Sequence, residues 1–204
     1  MSTRPRESRP RAPQRVTAAP SKQRLPSGPE LWLRQYWYVA VGVVLALGLV
    51  AWVVVESTRP DPGRAVPIEP GSHVAEGSQL TTANRPPSSG MHYPTIQAYG
   101  VYEDEVPAGR WIHTLEHGAV AILYNCSGGA RGCPELVEQI KQFYSSAPRS
   151  KYNSVKILAT PFSQMDHKIA VVAWGRIDEF DAWDADRVSR FYKRFVDRGP
   201  EDVP

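Results

Sequence analysis

The chain contains 204 residues, of which 42% are hydrophobic and 22% are charged, with a formal net charge of +3. These averages are typical of a globular protein, but the charge is unevenly distributed. Residues 1–35 contain eight Lys or Arg and two acidic residues, whereas the rest of the chain contains 16 basic and 19 acidic residues. A nucleic-acid-binding domain would carry its basic residues on the folded part, so this distribution argues against nucleic acid as a partner.

The N-terminal 35 residues are rich in Arg, Pro and Ser and contain few large apolar side chains. Such a segment buries too little apolar surface to fold, so we expect a disordered basic tail over residues 1–35. Residues 36–55 then contain no charged residue. Twenty helical residues span about 30 Å, the thickness of the hydrocarbon core of a bilayer. The sequence therefore predicts a transmembrane helix from Tyr36 to Val55.

The basic residues also predict the orientation of this helix. Most of them precede it and only Arg59 and Arg64 follow closely, which places the N-terminus in the cytoplasm. A cleavable signal peptide would have a shorter apolar region followed by a small-x-small site, and the sequence shows neither. We therefore expect a single-pass signal anchor in the cell membrane. After it we expect a stiff Pro-rich linker over 56–70, an extracytoplasmic domain over 71–199 and a short C-terminal tail over 200–204.

The second half of the chain has clear hydrophobic periodicity. Continuous apolar runs predict buried strands at 119–124, 155–160 and 169–174. Helical spacing predicts two amphipathic helices, one over 134–145 and a last one with the apolar stripe Val188, Phe191, Tyr192, Phe195 and Val196. A strand–helix–strand unit implies a parallel crossover, and the short link after Pro161 favours an antiparallel neighbour next. The expected fold is α+β, a small mixed β-sheet covered by helices.

Three of the five histidines, His92, His113 and His117, lie within 26 residues of one another. His113 and His117 share one helical face if residues 107–117 are helical, and Gly118 would then end the helix. The segment from His113 to His117 formally matches the inverted zinc-protease motif H-x-x-E-H. That motif needs a long helix and a further ligand downstream. A glycine follows at once here, so we do not assign the motif.

The donor chemistry of this segment nevertheless predicts a metal site. Two imidazoles on one face, a third from a loop and a nearby carboxylate suit Cu or Zn. The candidate ligands are His92, His113, His117 and Glu116. A thioether from Met91 or Met165 would favour copper, because thioether is a soft ligand. Two alternatives stay open: the histidines hydrogen-bond the irregular loops to the sheet, or they act in general acid–base catalysis.

Cys126 and Cys133 are the only cysteines, and six residues rich in glycine separate them. In an oxidising compartment such a pair is expected to form a structural disulfide. Cys133 precedes Pro134 at the start of a predicted helix, where a thiolate would be stabilised, so a redox-active pair is the alternative. Thiols that bind a metal are a third interpretation.

Several blocks of the sequence form a recognisable series. They are His73-Val74, Pro86-Pro87-Ser88-Ser89-Gly90-Met91-His92-Tyr93, Gly100-Val101-Tyr102, His113-Thr114-Leu115-Glu116-His117-Gly118, Ala173-Trp174-Gly175 and Pro200-Glu201. Together they resemble a bacterial membrane-anchored family known as domain of unknown function 3105. The resemblance covers about residues 70–201. Where the family usually has proline between glycine and histidine, this chain has Met91. The resemblance implies a single-pass exported domain and supports the importance of the histidine blocks, and it implies no settled activity.

These observations leave three functional hypotheses. The first is a membrane-tethered extracytoplasmic domain that binds a metal ion or a partner through its histidines. The second is an envelope enzyme, either a redox protein that uses Cys126 and Cys133 or a metal-dependent hydrolase that uses Glu116. The third is an accessory subunit that docks on a membrane-protein partner. The sequence leaves the choice between enzyme and non-enzyme open.

Overall fold

A computed structural model describes residues 29–204 of the chain, with side chains described from residue 34 onward. The predicted disordered tail therefore lies mostly outside the described residues. The chain divides at Arg59 into two units. We call residues 60–204 the C-terminal unit.

Helix α1 spans Pro29–Thr58 and contains the whole predicted transmembrane segment. The backbone at Tyr36 departs from helical geometry, with φ −118° and ψ 16°. Within Arg34–Thr58 the mean hydropathy reaches 2.6 over 18 residues. The apolar side chains are exposed, as Leu45 illustrates at 68%. By length and composition this helix could cross a membrane.

The C-terminal unit is built on a six-stranded mixed sheet, which confirms the predicted α+β class. The strands are β1 (Arg64–Ala65), β2 (Gly100–Val101), β3 (Val120–Tyr124), β4 (Ile157–Pro161), β5 (Ile169–Ala173) and β6 (Arg176–Phe180), in the order β1-β6-β5-β3-β4-β2. The helices are α2 (Ala108–Glu116), α3 (Pro134–Ser146) and α4 (Ala185–Phe195). β4 pairs in parallel with β2 and β3, and all other neighbours are antiparallel.

Strand β3 runs through the middle of the sheet and is buried along its whole length. Its side chains alternate between two hydrophobic clusters, because successive residues of a strand point to opposite faces. Val120, Ile122 and Tyr124 lie in a cluster with residues of α3 and α4. Ala121 and Leu123 lie in a second cluster with residues of α2. The sheet is therefore covered by helices on both faces, which explains why β3 reads as a continuous apolar run.

The strand that follows the short link after Pro161 does not pair where the sequence suggested. β5 is antiparallel, as expected, but its partner is β3, with Ile122 opposite Val171. The free edge of β4 is instead occupied by β2, so β5 crosses to the other side of β3. Sequence periodicity also missed β6, whose buried and half-buried residues include acidic side chains. In β6 the carboxylate of Asp178 is buried and forms an ion pair with Arg187 at 2.6 Å.

Residues at both ends of the C-terminal unit contact its folded part. Within the segment expected to be a linker, β1 pairs with β6, and Val66 is buried next to it. The predicted C-terminal tail contacts the folded chain. The amide of Glu201 donates to the carbonyl of Glu116 at 3.1 Å, and the Val203 carbonyl accepts a hydrogen bond from the Lys156 ammonium at 2.6 Å.

Lys156 anchors this C-terminal segment from inside the protein. The residue is fully buried, and its ammonium also donates to the His117 carbonyl at 2.9 Å. It lies 3.1 Å from the Asp197 carboxylate, although this ionic contact lacks the direction of a hydrogen bond. The Tyr152 ring lies 4.4 Å from the same ammonium. A buried ammonium is tolerated only with such compensation.

We expect Lys156→Met to destabilise the C-terminal unit by about 3–5 kcal/mol, because it leaves a partly buried carboxylate and two carbonyls without their cation. Urea unfolding of the full chain in detergent measures the change. Lys168→Met is the matched control, because Lys168 is exposed and should change the free energy of unfolding by less than about 0.5 kcal/mol. Equal effects of the two variants would show that the Lys156 contacts contribute no net stability.

Candidate metal centre

Three chain segments meet on the side of the sheet that carries α2. An isolated parallel bridge joins His73 to His92. In this bridge the Val74 amide donates to the His92 carbonyl at 2.9 Å, and the His92 amide donates to the Ser72 carbonyl at 3.1 Å. The next residue, Tyr93, is attached to α2, because its amide donates to the Gly109 carbonyl at 3.1 Å. These backbone bonds bring two irregular loops against one helix.

Helix α2 presents its apolar side to the sheet and its polar side to the loops. Trp111, Ile112 and Leu115 are buried in the core. The helix ends as the sequence predicted. Gly118 has φ +79°, a conformation that favours glycine, and its amide donates to the Leu115 carbonyl at 2.9 Å. His113 and Glu116 are three residues apart and therefore lie on one side of the last turn.

The structure brings His73, His92, His113 and Glu116 together into one group. Each residue offers one ligand atom, and the four atoms lie within 4.8 Å of one another. The three imidazole ring centroids are 4.8–4.9 Å apart in every pair. His92 and His113 are buried, Glu116 is partly buried and His73 is exposed. We call these four residues the histidine group.

Hydrogen bonds fix the orientation of the two buried imidazoles. His92 Nδ1 lies 2.8 Å from the Gly90 carbonyl oxygen, and His113 Nδ1 lies 2.7 Å from the Tyr93 carbonyl oxygen. A carbonyl only accepts, so each Nδ1 carries the proton. In the neutral rings both Nε2 atoms are therefore unprotonated and free to act as ligands. The same arrangement, an imidazole held by a carbonyl at its other nitrogen, is typical of metal-ligating histidines.

The Nε2 atom of His92 faces the carboxylate of Glu116. It lies 3.0 Å from Glu116 Oε2, yet no well-directed hydrogen bond joins the two atoms. With Nδ1 protonated, the neutral ring presents a lone pair to an anionic oxygen. This contact becomes favourable only when a cation, either a proton on Nε2 or a metal ion, lies between them.

Burial lowers the pKa of His113 from its usual value of 6.5, and the neighbouring His117, His92 and His73 lower it further. The hydrogen bond to the Tyr93 carbonyl acts in the opposite direction and is weaker than the effect of burial. His113 is therefore neutral at physiological pH, which is the state in which imidazole binds metals.

Three of the four ligands predicted from the sequence lie in the histidine group, and the fourth lies outside it. His117 packs its ring against His113, with centroids 4.8 Å apart, but its Nε2 lies 3.1 Å from the Glu201 carboxylate. His73 takes its place in the group. Sequence reasoning missed His73 as a member of the group because it lies in a segment without periodicity. The only available signal was its place in the opening block of the family resemblance.

Residues 73–203 match the family described as protein of unknown function (DUF3105). The chain belongs to the DUF3105 family. No curated protein and no solved structure matches the chain significantly. The matched residues begin after α1, so the family match does not bear on the apolar helix.

Most of the sequence blocks that resemble DUF3105 converge at the histidine group. Three of them supply the residues of the histidine group before and on α2. The Ala173-Trp174-Gly175 block lies next to them, because the Trp174 ring centroid is 6.5 Å from that of His92 and the Gly175 amide donates to the Ser88 carbonyl at 3.1 Å. The terminal block contributes the Glu201 partner of His117. The block around Gly100 instead forms β2.

The two cysteines are joined in a disulfide outside the histidine group, with Cα atoms 5.9 Å apart. The loop between them contains a 3-10 turn at Gly129–Gly132. Cys126 lines a groove of about 660 Å³ together with Glu103, Glu105 and Arg131. None of the residues that line this groove belongs to the histidine group. A ligand role for the thiols at that group has no support in this geometry.

For the metal-free protein, we expect stability to fall as the pH drops below about 6.5. The buried His113 has a lower pKa in the folded state than when unfolded, so the folded state binds fewer protons and loses stability on acidification. The titratable groups that face it are His73, His92, His117 and Glu116. Urea midpoints between pH 7.5 and 5.5, with EDTA present, measure the slope. His113→Gln should reduce that slope, and an unchanged slope would exclude this origin.

Removing the disulfide with Cys126→Ser and Cys133→Ser is expected to cost about 2.5 kcal/mol, the chain-entropy estimate for so short a loop. Thermal or urea unfolding of the full chain measures the loss. Wild-type protein reduced with dithiothreitol should match the double variant. A reduced protein as stable as the oxidised one would contradict a structural role of the bond.

Proposed function

We propose that the protein binds a transition-metal ion through His73, His92, His113 and Glu116. One observation carries the proposal: two buried imidazoles, each fixed at Nδ1 by a backbone carbonyl, lie in one group with a third imidazole and a carboxylate. The ligand atoms already lie within 4.8 Å of one another. Metal–ligand bonds of about 2.0–2.2 Å would therefore require only small movements.

A metal ion explains the arrangement better than hydrogen bonding between loops. A structural network would place a donor opposite every acceptor, whereas His92 Nε2 has no hydrogen-bond partner and faces an anionic oxygen. Protonating the imidazoles would satisfy one contact, but it would place like charges on rings whose centroids are less than 5 Å apart. One divalent cation satisfies all four ligands at once.

The donor set favours Zn(II) or Cu(II). Three imidazole nitrogens and one carboxylate oxygen suit these ions, and both cysteines are in the disulfide. Cu(I) would prefer sulfur. Met165, one of the thioethers that would favour copper, is buried in the same core cluster as Phe162. The group therefore resembles a nitrogen-rich site for a divalent ion.

We further propose that α1 anchors this centre to the cell membrane, with the N-terminus in the cytoplasm and the C-terminal unit outside. The length and apolarity of α1 support the anchor. The excess of basic residues before the helix supports the orientation. The disulfide in the C-terminal unit is consistent with an oxidising compartment.

The sharpest test of the site compares His73, which lies in the histidine group, with His117, which the sequence predicted in its place. We expect His73→Ala to weaken Zn(II) binding by about 100-fold or more, because it removes a direct ligand. We expect His117→Ala to weaken it by about tenfold or less, because His117 packs on His113 and offers no ligand atom to the group. Competition titration of the full chain in detergent against a chromophoric chelator measures both affinities. The affinity tag must contain no histidine.

His167→Ala is the control for this test, because His167 is exposed and pairs with Asp181 away from the group. It should leave the affinity unchanged. Failure of the wild type to retain close to one equivalent of Zn(II) or Cu(II) would refute the proposal. A larger effect of His117→Ala than of His73→Ala would restore the ligand set expected from the sequence.

A further inference from the structure

The histidine group is closed on one side and accessible on the other. The His92 side chain is 2% exposed and the Glu116 side chain is 15% exposed. His73 is exposed. The ligands thus change from buried to exposed across the group, so a bound ion would face solvent between His73 and Glu116.

Gly71 lies at this accessible side. A Cβ atom added at Gly71 would lie 3.3 Å from Glu116 Oε1, 3.5 Å from Trp174 Cη2 and 3.6 Å from His92 Cε1. Only hydrogen atoms of the glycine occupy that position. The absence of a side chain therefore leaves a small space directly beside two of the ligands, with the Trp174 ring as one wall.

The charge of the site favours an anion in that space. Three neutral imidazoles and one carboxylate around a divalent ion leave a net charge of about +1, and a bound cation is the dominant local charge in such a site. With four protein ligands the anion would take a fifth position, and zinc centres can expand to five-coordinate geometry.

We propose that the centre keeps an open coordination position beside Gly71 that binds a small monodentate anion. This inference rests on the proposed metal site. It adds the chemical class of the further ligand and the side from which that ligand would reach the metal. The small space beside Gly71 limits the ligand to a few atoms, and the Trp174 wall disfavours a bulky polar one.

The experiment uses the full chain in detergent loaded with Co(II), whose visible absorption reports the coordination sphere, and sodium azide as the probe. Azide should shift the Co(II) bands of the wild type in a saturable manner. Gly71→Ala should weaken azide binding, and Gly71→Val should weaken it by about tenfold or more, because the added methyl groups fill the space next to Glu116. The affinity for Co(II) itself should change little in both variants.

Ser72→Ala is the matched control. Ser72 is the exposed neighbour of Gly71, and only its backbone carbonyl contacts the site, so azide binding should be unchanged. A protein that binds Co(II) but shows no azide response, or whose response is equal in wild type and Gly71→Val, would overturn the open position and leave the metal site intact. A protein that binds no Co(II) would overturn both. A loss of Co(II) affinity in Gly71→Val alone would show that Gly71 supports the ligands instead, which also contradicts the proposal.

Discussion

Burial of β3 on both faces is the constraint on which the rest of the C-terminal unit depends. A five-residue strand without one exposed position forces helices onto both sides of the sheet. One of these covers is α2, which reaches β3 through a turn of three residues that contains Gly118. The last turn of α2 is therefore held at a fixed distance from the sheet. Its polar side, with His113 and Glu116, must face the loops that close over it.

Contacts within the histidine group hold those loops in a defined conformation. Residues between β1 and α2 contain little regular structure, and a loop of this length is normally functional or mobile. Here the bridge between His73 and His92 and the carbonyls of Gly90 and Tyr93 fix the loops and the imidazoles together. These hydrogen bonds thus fix the conformation of the loop backbone. They also determine which nitrogen of each imidazole is available to bind a ligand. This coupling makes the region suited to holding several ligands without a scaffold of strands.

Sequence reasoning succeeded where the periodicity is strong and failed where geometry is set by distant contacts. Apolar patterns in the sequence predict the strands β3, β4 and β5 and the helices α3 and α4. Their buried side chains form continuous apolar runs in the strands and recur at helical spacing in the helices. The pairing of β5 with β3 does not, because it depends on β2 occupying the far edge of β4. In the same way residue type and spacing pointed to His92, His113 and Glu116, which lie together in the histidine group. They did not point to His73, because its position depends on a single backbone bridge to a residue 19 positions away along the chain.

The C-terminal segment explains why His117 lies outside the histidine group although it is one helical turn from His113. A Cβ at Gly199 would lie 2.0 Å from the Glu116 carbonyl oxygen, so only glycine allows the segment to approach the end of α2 this closely. That approach lets the Glu201 amide bind the same carbonyl and places the Glu201 carboxylate against His117. Buried Lys156 holds the segment in place from below through the carbonyls of His117 and Val203. The terminal residues therefore act as a support for the ligand helix: they engage His117 on one side and leave His113 and Glu116 to the proposed metal on the other.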